Sequence, residues 1–216
     1  PVGAIILYQT LESLGAKPML VCGPPLSEAL SSDYQVLTLN AGSLEEARTD
    51  AAEQLLRLRP EAIVAIERPG LAADGRYYNM RGMDITERCY FFDPFMELAD
   101  CPTIAIGDGG NECGMGKIKD ALEQLDIKVS VTSCDELLIA DVSNWGAYGL
   151  LAILGLWARR DLLAGISPVE ILNYLCIRGS VDGVTGQSTL TEDGMEARIG
   201  AHIIHELRSL ANSTDE

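Results

Sequence analysis

The residues best suited to chemistry lie in a glycine-rich stretch, residues 107–116, directly after the short apolar run 102–106. Five glycines in ten residues let backbone amides approach a small ligand closely, with an Asp and a Glu beside them. Asp108 and Glu112 are therefore candidates for the acid and base of a proton transfer, or for ligands of a divalent cation such as Mg²⁺. The backbone amides of Gly109 and Gly110 could stabilise an oxyanion.

This glycine loop also has a purely structural interpretation. Asp108 and Glu112 are four residues apart, so a helix beginning after Gly110 would direct both carboxylates at one ligand. The alternative is a tight turn in which Asp108 caps the following helix. The glycine density favours ligand binding. The loop is not a Walker A phosphate loop, because no Gly-Lys-Ser/Thr follows, and it does not fit a dinucleotide G-x-G-x-x-G motif in good register.

A second polar loop, residues 67–84, alternates acids and arginines with aromatic residues. It is longer than an ordinary connection between elements. Arg68 or Arg81 could clamp a substrate carboxylate through two parallel hydrogen bonds. Glu67, at the end of a strand, is held on a rigid element as an acid or base should be. The alternative is a solvated loop with internal ion pairs.

Two further segments have weaker signals. Ser143 and Asn144 begin a helix, where they either cap it or present polar groups at an anion site. Residues 180–185 contain an Asp-Gly pair, which is more typical of a turn than of a site.

Alternating strands and helices predict how these residues are positioned. Strands are predicted at residues 18–22, 35–39, 62–66, 103–106 and 129–131, and helices at 2–14, 43–58, 93–99, 117–125, 144–160, 167–177 and 194–210, with 137–142 ambiguous. The pattern predicts an α/β fold: a three-layer, open, mostly parallel sheet with helices on both faces, Rossmann-like. Ligands of such sheets bind outside the carboxyl ends of the strands, where both polar loops begin.

Composition limits the function classes. The 216 residues suffice for a single α/β domain over 1–216, and the absence of an initial Met leads us to expect an upstream segment. A net charge of −16 disfavours nucleic-acid binding. Six scattered cysteines without a C-x-x-C pair argue against zinc, and the longest apolar run is too short to cross a membrane. The apolar helix after Asn144 covers either a sheet face or the interface of a homo-oligomer.

The polar segments together resemble the D-glutamate cyclase C-terminal domain family along nearly the whole chain. The motifs that carry the resemblance are Glu67-Arg68-Pro69-Gly70, residues 72–81, residues 107–112 with 114–117, and Ser143-Asn144-Trp145-Gly146-Ala147-Tyr148. The opening Pro1-Val2-Gly3-Ala4 resembles the end of a family segment whose Asp would lie upstream. The chain departs from the family pattern at Asp84 and at residues 86–92.

The resemblance implies a carbon–oxygen lyase that dehydrates D-glutamate to 5-oxo-D-proline, an amino-acid substrate, and a cytoplasmic location, or the mitochondrial matrix for a eukaryotic protein. On this basis Glu67, Asp108 and Glu112 are the catalytic candidates, with the base and acid unassigned. The substrate-binding candidates are Arg68, Asp74, Tyr78, Asn79, Arg81, Gly109, Gly110, Asn111, Ser143 and Asn144.

Two other functions compete with this one. Residues 107–112 are similar to the Mg²⁺-binding loop of haloacid-dehalogenase phosphatases, but the Asp-x-Asp nucleophile of a phosphatase-like hydrolase does not occur in this sequence. The other alternative is a non-catalytic domain that binds an amino acid or another metabolite. The presence of all three acids, Glu67, Asp108 and Glu112, favours an enzyme.

Overall fold

The computed structural model describes residues 1–213, which divide into two compact units. The sheet unit is Met19–Ala140, and the helical unit combines Pro1–Pro18 with the described residues from Asp141 onward. The prediction of one domain over residues 1–216 stays a prediction.

Helices and short strands alternate through most of residues 1–213. The α-helices are α1 (Val2–Ser13), α2 (Leu26–Leu30), α3 (Leu44–Leu58), α4 (Asp93–Glu97), α5 (Lys119–Leu122), α6 (Ser143–Ala158), α7 (Pro168–Ile177) and α8 (Ala197–Ser213). The strands are β1 (Leu20–Cys22), β2 (Val36–Thr38), β3 (Ile63–Ile66), β4 (Thr103–Gly107), β5 (Glu136–Ile139), β6 (Thr191–Glu192) and β7 (Met195–Glu196). Short 3₁₀ helices lie at Thr86–Arg88 and Met115–Ile118.

The strands of the sheet unit are parallel. β1 pairs with β2, and β4 lies between β3 and β5 in a second sheet. Ala65 of β3 lies opposite Ala105 of β4, and Ile66 lies opposite Ile106. Parallel strands combined with helices confirm the predicted α/β class.

The core of the sheet unit packs α3 and α4 together over these strands. Ala65 and Ala105 are buried and small, which leaves room for the side chains of Phe92 and Phe95. The two phenyl rings stack with their centroids 5.6 Å apart. The resulting apolar layer packs against β3 and β4.

The helical unit packs α1 against α6 and α6 against α8. Gly3 permits the first contact, because a Cβ there would lie 2.8 Å from the Cβ of Ala147. No helix in the part of the chain that the structure describes is both long and apolar enough to span a bilayer.

Three predicted elements are wrong in type or extent. Residues 129–131 form no strand, since Ser130 makes only an isolated bridge with Ala72. The helix predicted at 117–125 is shorter and comprises the 3₁₀ turn Met115–Ile118 and α5. The last helix begins at Ala197 rather than 194, because residues 191–196 form the β6–β7 hairpin.

Candidate active site

Most glycines of the loop 107–116 are required by the protein's own packing. Gly114 has a φ of 101°, and a Cβ there would overlap the Cβ of Ala105. A Cβ on Gly116 would overlap the main chain of Val131. A Cβ on Gly107 would overlap the side chain of Met115, and a Cβ on Gly110 would overlap the side chain of Ile127. Internal packing therefore accounts for these four glycines, and the ligand-binding interpretation of the loop stays a prediction.

The loop backbone holds the carboxylate of Glu112. The amide of Gly109 donates to Oε1 over 2.8 Å, and the amide of Gly110 donates to Oε2 over 2.6 Å. Gly107 makes room for this group, since a Cβ there would lie 3.2 Å from Oε2. Glu112 is 4% exposed. The two amides assigned to an oxyanion thus bind the protein's own carboxyl group in this structure.

Asp108 and Glu112 meet without the helix on which the sequence argument depended. Residues 111–114 form a bridge and a turn, and the helical conformation begins only at Met115. The two carboxyl groups nevertheless lie close enough for the charge of Asp108 to raise the pKa of Glu112.

The environment of Glu112 favours its protonated form. Burial raises the pKa of the Glu112 carboxyl, the hydrogen bond from the Gly109 amide lowers it, and the charge of Asp108 raises it again. The net direction is upward. A carboxylic acid beside a second carboxyl group can donate one proton and accept another, which is the requirement for acid–base catalysis.

Asn111 lies beside Glu112, and only one of the two polar atoms of its side chain has a hydrogen-bond partner among the described residues. The Nδ2 group donates to the carbonyl of Tyr78 over 2.8 Å. The residue is 8% exposed, and its Oδ1 has no hydrogen-bond partner among residues 1–213. A Cβ placed on Gly109 would lie 3.0 Å from this oxygen and 3.0 Å from Glu112 Oε1. Both oxygens therefore border the same position.

The two polar loops lie together, as the sequence predicted. The amide of Gly70 donates to the Asn111 carbonyl over 2.9 Å, and the amide of Cys113 donates to the Arg68 carbonyl over 2.7 Å. Glu67 follows β3, and its amide donates to the carbonyl of Ile106 at the end of β4. Its φ of 50° is uncommon for a residue with a side chain and marks a constrained position at the strand end.

Arg68 is bound within the sheet unit. Its guanidinium donates to the carbonyl of Tyr90 over 2.8 Å and lies 5.4 Å from the centroid of the Phe92 ring. These contacts fix the side chain, and its predicted role as a carboxylate clamp stays a prediction. Arg81 is exposed to solvent.

The other polar residues of the loop 67–84 bind one another. Tyr78 donates its hydroxyl to Asp74 over 2.6 Å. The Asn79 Oδ1 accepts the amides of Arg81 and Met83, each over 3.0 Å. This agrees with the alternative of internal contacts, so their substrate contacts stay predictions.

Comparison of this chain with known protein families identifies the family to which it belongs. The family described as "D-glutamate cyclase-like, C-terminal" matches residues 1–208. The chain belongs to this family. It is also similar to the human protein named "D-glutamate cyclase, mitochondrial", with 39% identity over 138 residues, and the match covers 58% of this chain. The match covers 22% of the human protein's length.

Asp93 anchors the loop 67–84 of this cyclase-like chain, and the sequence analysis did not identify it. Asp93 is fully buried; it accepts the Leu71 amide over 2.8 Å and the Tyr77 hydroxyl over 2.6 Å, and it binds the Thr132 hydroxyl. Asp93 begins α4, so its type and position suggest only a helix start. Its distant partners are not readable from the sequence.

The third predicted segment of the cyclase-like chain lies in the helical unit. Asn144 Oδ1 accepts the Gly3 amide over 2.8 Å, which joins α6 to α1. Ser143 is fully buried as the first residue of α6, but the cap position belongs to Val142. The capping interpretation of Ser143 is therefore wrong, and the substrate roles of Ser143 and Asn144 stay predictions.

The structural interpretation of residues 180–185 is confirmed. Asp182 accepts the amides of Val184 and Thr185 through Oδ1, and the Thr191 hydroxyl and the Gly194 amide through Oδ2. Although burial raises the pKa of Asp182, these hydrogen bonds lower it to about 2. The side chain closes its own loop.

Proposed function

We propose that this chain catalyses the intramolecular dehydration of D-glutamate to 5-oxo-D-proline. The observation that carries the proposal is the buried carboxyl group of Glu112, whose pKa is raised by burial and by the charge of the exposed Asp108 at the carboxyl end of β4. Membership of the D-glutamate cyclase-like family supports the choice of substrate. The human relative bears the cyclase name, and this chain spans only part of its length.

The proton balance of this reaction suits two neighbouring carboxyl groups, one acting as an acid and the other as a base. The substrate nitrogen attacks its own side-chain carboxyl carbon, so one N–C bond forms and one C–O bond breaks. The ammonium group begins with three protons and the product amide keeps one. The other two leave with the carboxyl oxygen as water. A base must therefore take protons from nitrogen while an acid delivers them to oxygen.

The pair has one member for each task. We assign Glu112, whose pKa is raised by burial and by the charge of Asp108, as the acid toward the leaving oxygen. Asp108 is the base toward the nitrogen. Holding the amine against the carboxyl group of the same molecule contributes several kcal/mol through proximity alone. Glu67, at the end of the neighbouring strand, stays a candidate for proton exchange.

Asp108 and Glu112 are also the residues that would hold a divalent cation. Both oxygens of Glu112 already accept backbone amides. Among the residues that the structure describes, no three His, Cys, Asp or Glu side chains form a group suited to a metal ion. This donor set fits proton transfer better than a cation held by the protein, so the proposed steps use the two carboxyl groups and no metal.

Product formation tests the proposal. We expect D-glutamate incubated with the protein to give the proton NMR signals of the pyrrolidone ring, with L-glutamate as the stereochemical comparison. A parallel incubation with a chelator tests the cation, since a metal-free mechanism keeps its rate. Absence of ring from either enantiomer, combined with a thermal shift on adding glutamate, would contradict the cyclase proposal and favour a binding domain.

The proposal includes a cytoplasmic location and a small-molecule partner. A second proposed role of the apolar helix α6 is to form the interface of a homo-oligomer. Gel filtration with light scattering measures the oligomeric state. Release of phosphate from a phosphorylated test substrate would instead favour the hydrolase alternative.

A further inference from the structure

The unpartnered oxygen of Asn111 is the least satisfied group near the carboxyl pair. Its orientation follows from the partner of the other amide atom: Nδ2 donates to the Tyr78 carbonyl, and exchanging the two atoms would place two acceptors together. Oδ1 is buried and has no hydrogen-bond partner within residues 1–213. Buried acceptors in native proteins are nearly always satisfied by protein, water or ligand.

The surroundings of this oxygen select the kind of donor it would accept. Glu112 Oε1 borders the same position in front of Gly109, and Asp108 lies close enough to Glu112 for its charge to raise the pKa of Glu112. The two acids make this an acidic position. A donor placed there is favoured when it is positively charged and carries more than one N–H, as a primary ammonium group does.

Met80 occupies the space that such a group would enter. A Cβ on Gly109 would overlap the Met80 sulfur, which therefore lies directly in front of this glycine. Met80 is 49% exposed and belongs to the turn that Asn79 closes. An unbranched thioether side chain adapts its rotamer readily, so an incoming ligand can displace it without moving the backbone.

We propose that Asn111 Oδ1 receives the amino group of the ligand and makes this site selective for primary amines. The identity of that amine as D-glutamate rests on the proposed function, whereas the selectivity rests on the buried Oδ1 of Asn111 and on Glu112 Oε1 beside it. Asn111 is then a specificity-determining residue, which orients the nitrogen next to the carboxyl pair.

The test compares two ligands that differ only in the amine. D-Glutamate and glutarate are titrated by calorimetry into protein carrying Asp108→Asn, a background in which little substrate is consumed. We expect D-glutamate to bind at least about tenfold more tightly, the amount that one hydrogen bond to a charged group supplies.

Two variants on the same background isolate the oxygen. Asn111→Leu removes both amide atoms, whereas Asn111→Asp keeps an acceptor; both lose the bond to Tyr78. We expect the preference for D-glutamate to disappear in Asn111→Leu and to persist in Asn111→Asp. Asn111→Ala replaces Asn111→Leu, with the same expectation, where circular dichroism shows that the leucine variant is unfolded.

Each result separates this proposal from the cyclase proposal. Equal preference for D-glutamate in Asn111→Leu and in its parent would overturn the assignment of Oδ1 and indicate that only water occupies it, even with cyclisation observed in the wild type. An amine preference that depends on Asn111, in a protein that forms no ring, would support this site while the cyclase proposal fails.

Discussion

Glu112 of the sheet unit and Glu192 of the helical unit are two glutamates in nearly equal burial, 4% and 3% exposed. Burial raises the pKa of both carboxyl groups. Their partners differ. Glu192 accepts the Tyr148 hydroxyl over 2.6 Å and the Trp145 indole N–H over 3.4 Å. Glu112 instead accepts two loop amides, and the charge of Asp108 raises its pKa further.

The difference in partners separates a buried carboxyl group with a structural role from one suited to proton transfer. Neutral donors from α6 satisfy Glu192 and anchor the β6–β7 hairpin. Glu112 faces a second carboxyl group and an unpartnered amide oxygen, so its proton has an acceptor and a further donor can bind beside it. Burial by itself does not distinguish the two.

Asp108→Asn gives the largest expected effect. We expect kcat for D-glutamate to fall about 10²–10⁴-fold, the contribution of a positioned acid or base. The melting temperature should be nearly unchanged, since Asp108 is exposed to solvent. Steady-state NMR assays and thermal melts measure both. A large drop in melting temperature would show instead that Asp108 acts mainly as a structural cap.

Tyr148→Phe should act on stability alone. The variant leaves the buried Glu192 without its shorter hydrogen bond, at a cost of about 1–3 kcal/mol in the free energy of unfolding. We expect kcat/KM to stay within about twofold of wild type, the outcome opposite to that for Asp108→Asn. Urea denaturation gives the free energy. Loss of activity without loss of stability would place Glu192 in the chemistry and end the contrast.

The dependence of stability on pH is the smallest expected effect. A carboxyl group whose pKa is raised by folding binds its proton more tightly in the folded state, so its stabilisation is complete below the unfolded pKa of about 4.5. That stabilisation is lost as pH rises through the folded pKa. Glu192→Gln should therefore flatten the decrease in unfolding free energy between pH 4.5 and neutrality. An unchanged slope would contradict the raised pKa of Glu192.

Of the two buried glutamates, only Glu112 was identified from the sequence as a candidate site residue. The ends of β3 and β4 and their polar loops were predictable, because short apolar runs followed by polar turns are local signals. Glu192 and Asp93 were missed because their donors lie far away in the sequence. The strand predicted at 129–131 fails because so short a run is governed by tertiary contacts: the Val131 amide donates to Leu71 instead of to a sheet.

Glycine spacing is ambiguous for a related reason. A glycine needed because a neighbouring chain passes closely looks the same in the sequence as one needed by a ligand. Gly114 makes room for Ala105, whereas Gly109 borders the Asn111 oxygen, and only the fold separates the two. The number of glycines is thus a weaker signal than the identity of the acids among them.

Carbon-13 NMR of glutamate side chains tests the central claim most directly, namely that Asp108 and Glu112 interact and Glu192 stands apart. Titration of protein labelled at the glutamate carboxyl carbon gives the pKa of each buried glutamate in wild type and in Asp108→Asn. We predict a raised pKa for both residues in wild type, with Asp108→Asn lowering the pKa of Glu112 and leaving that of Glu192 unchanged. A Glu112 pKa that does not respond to Asp108→Asn would contradict the account.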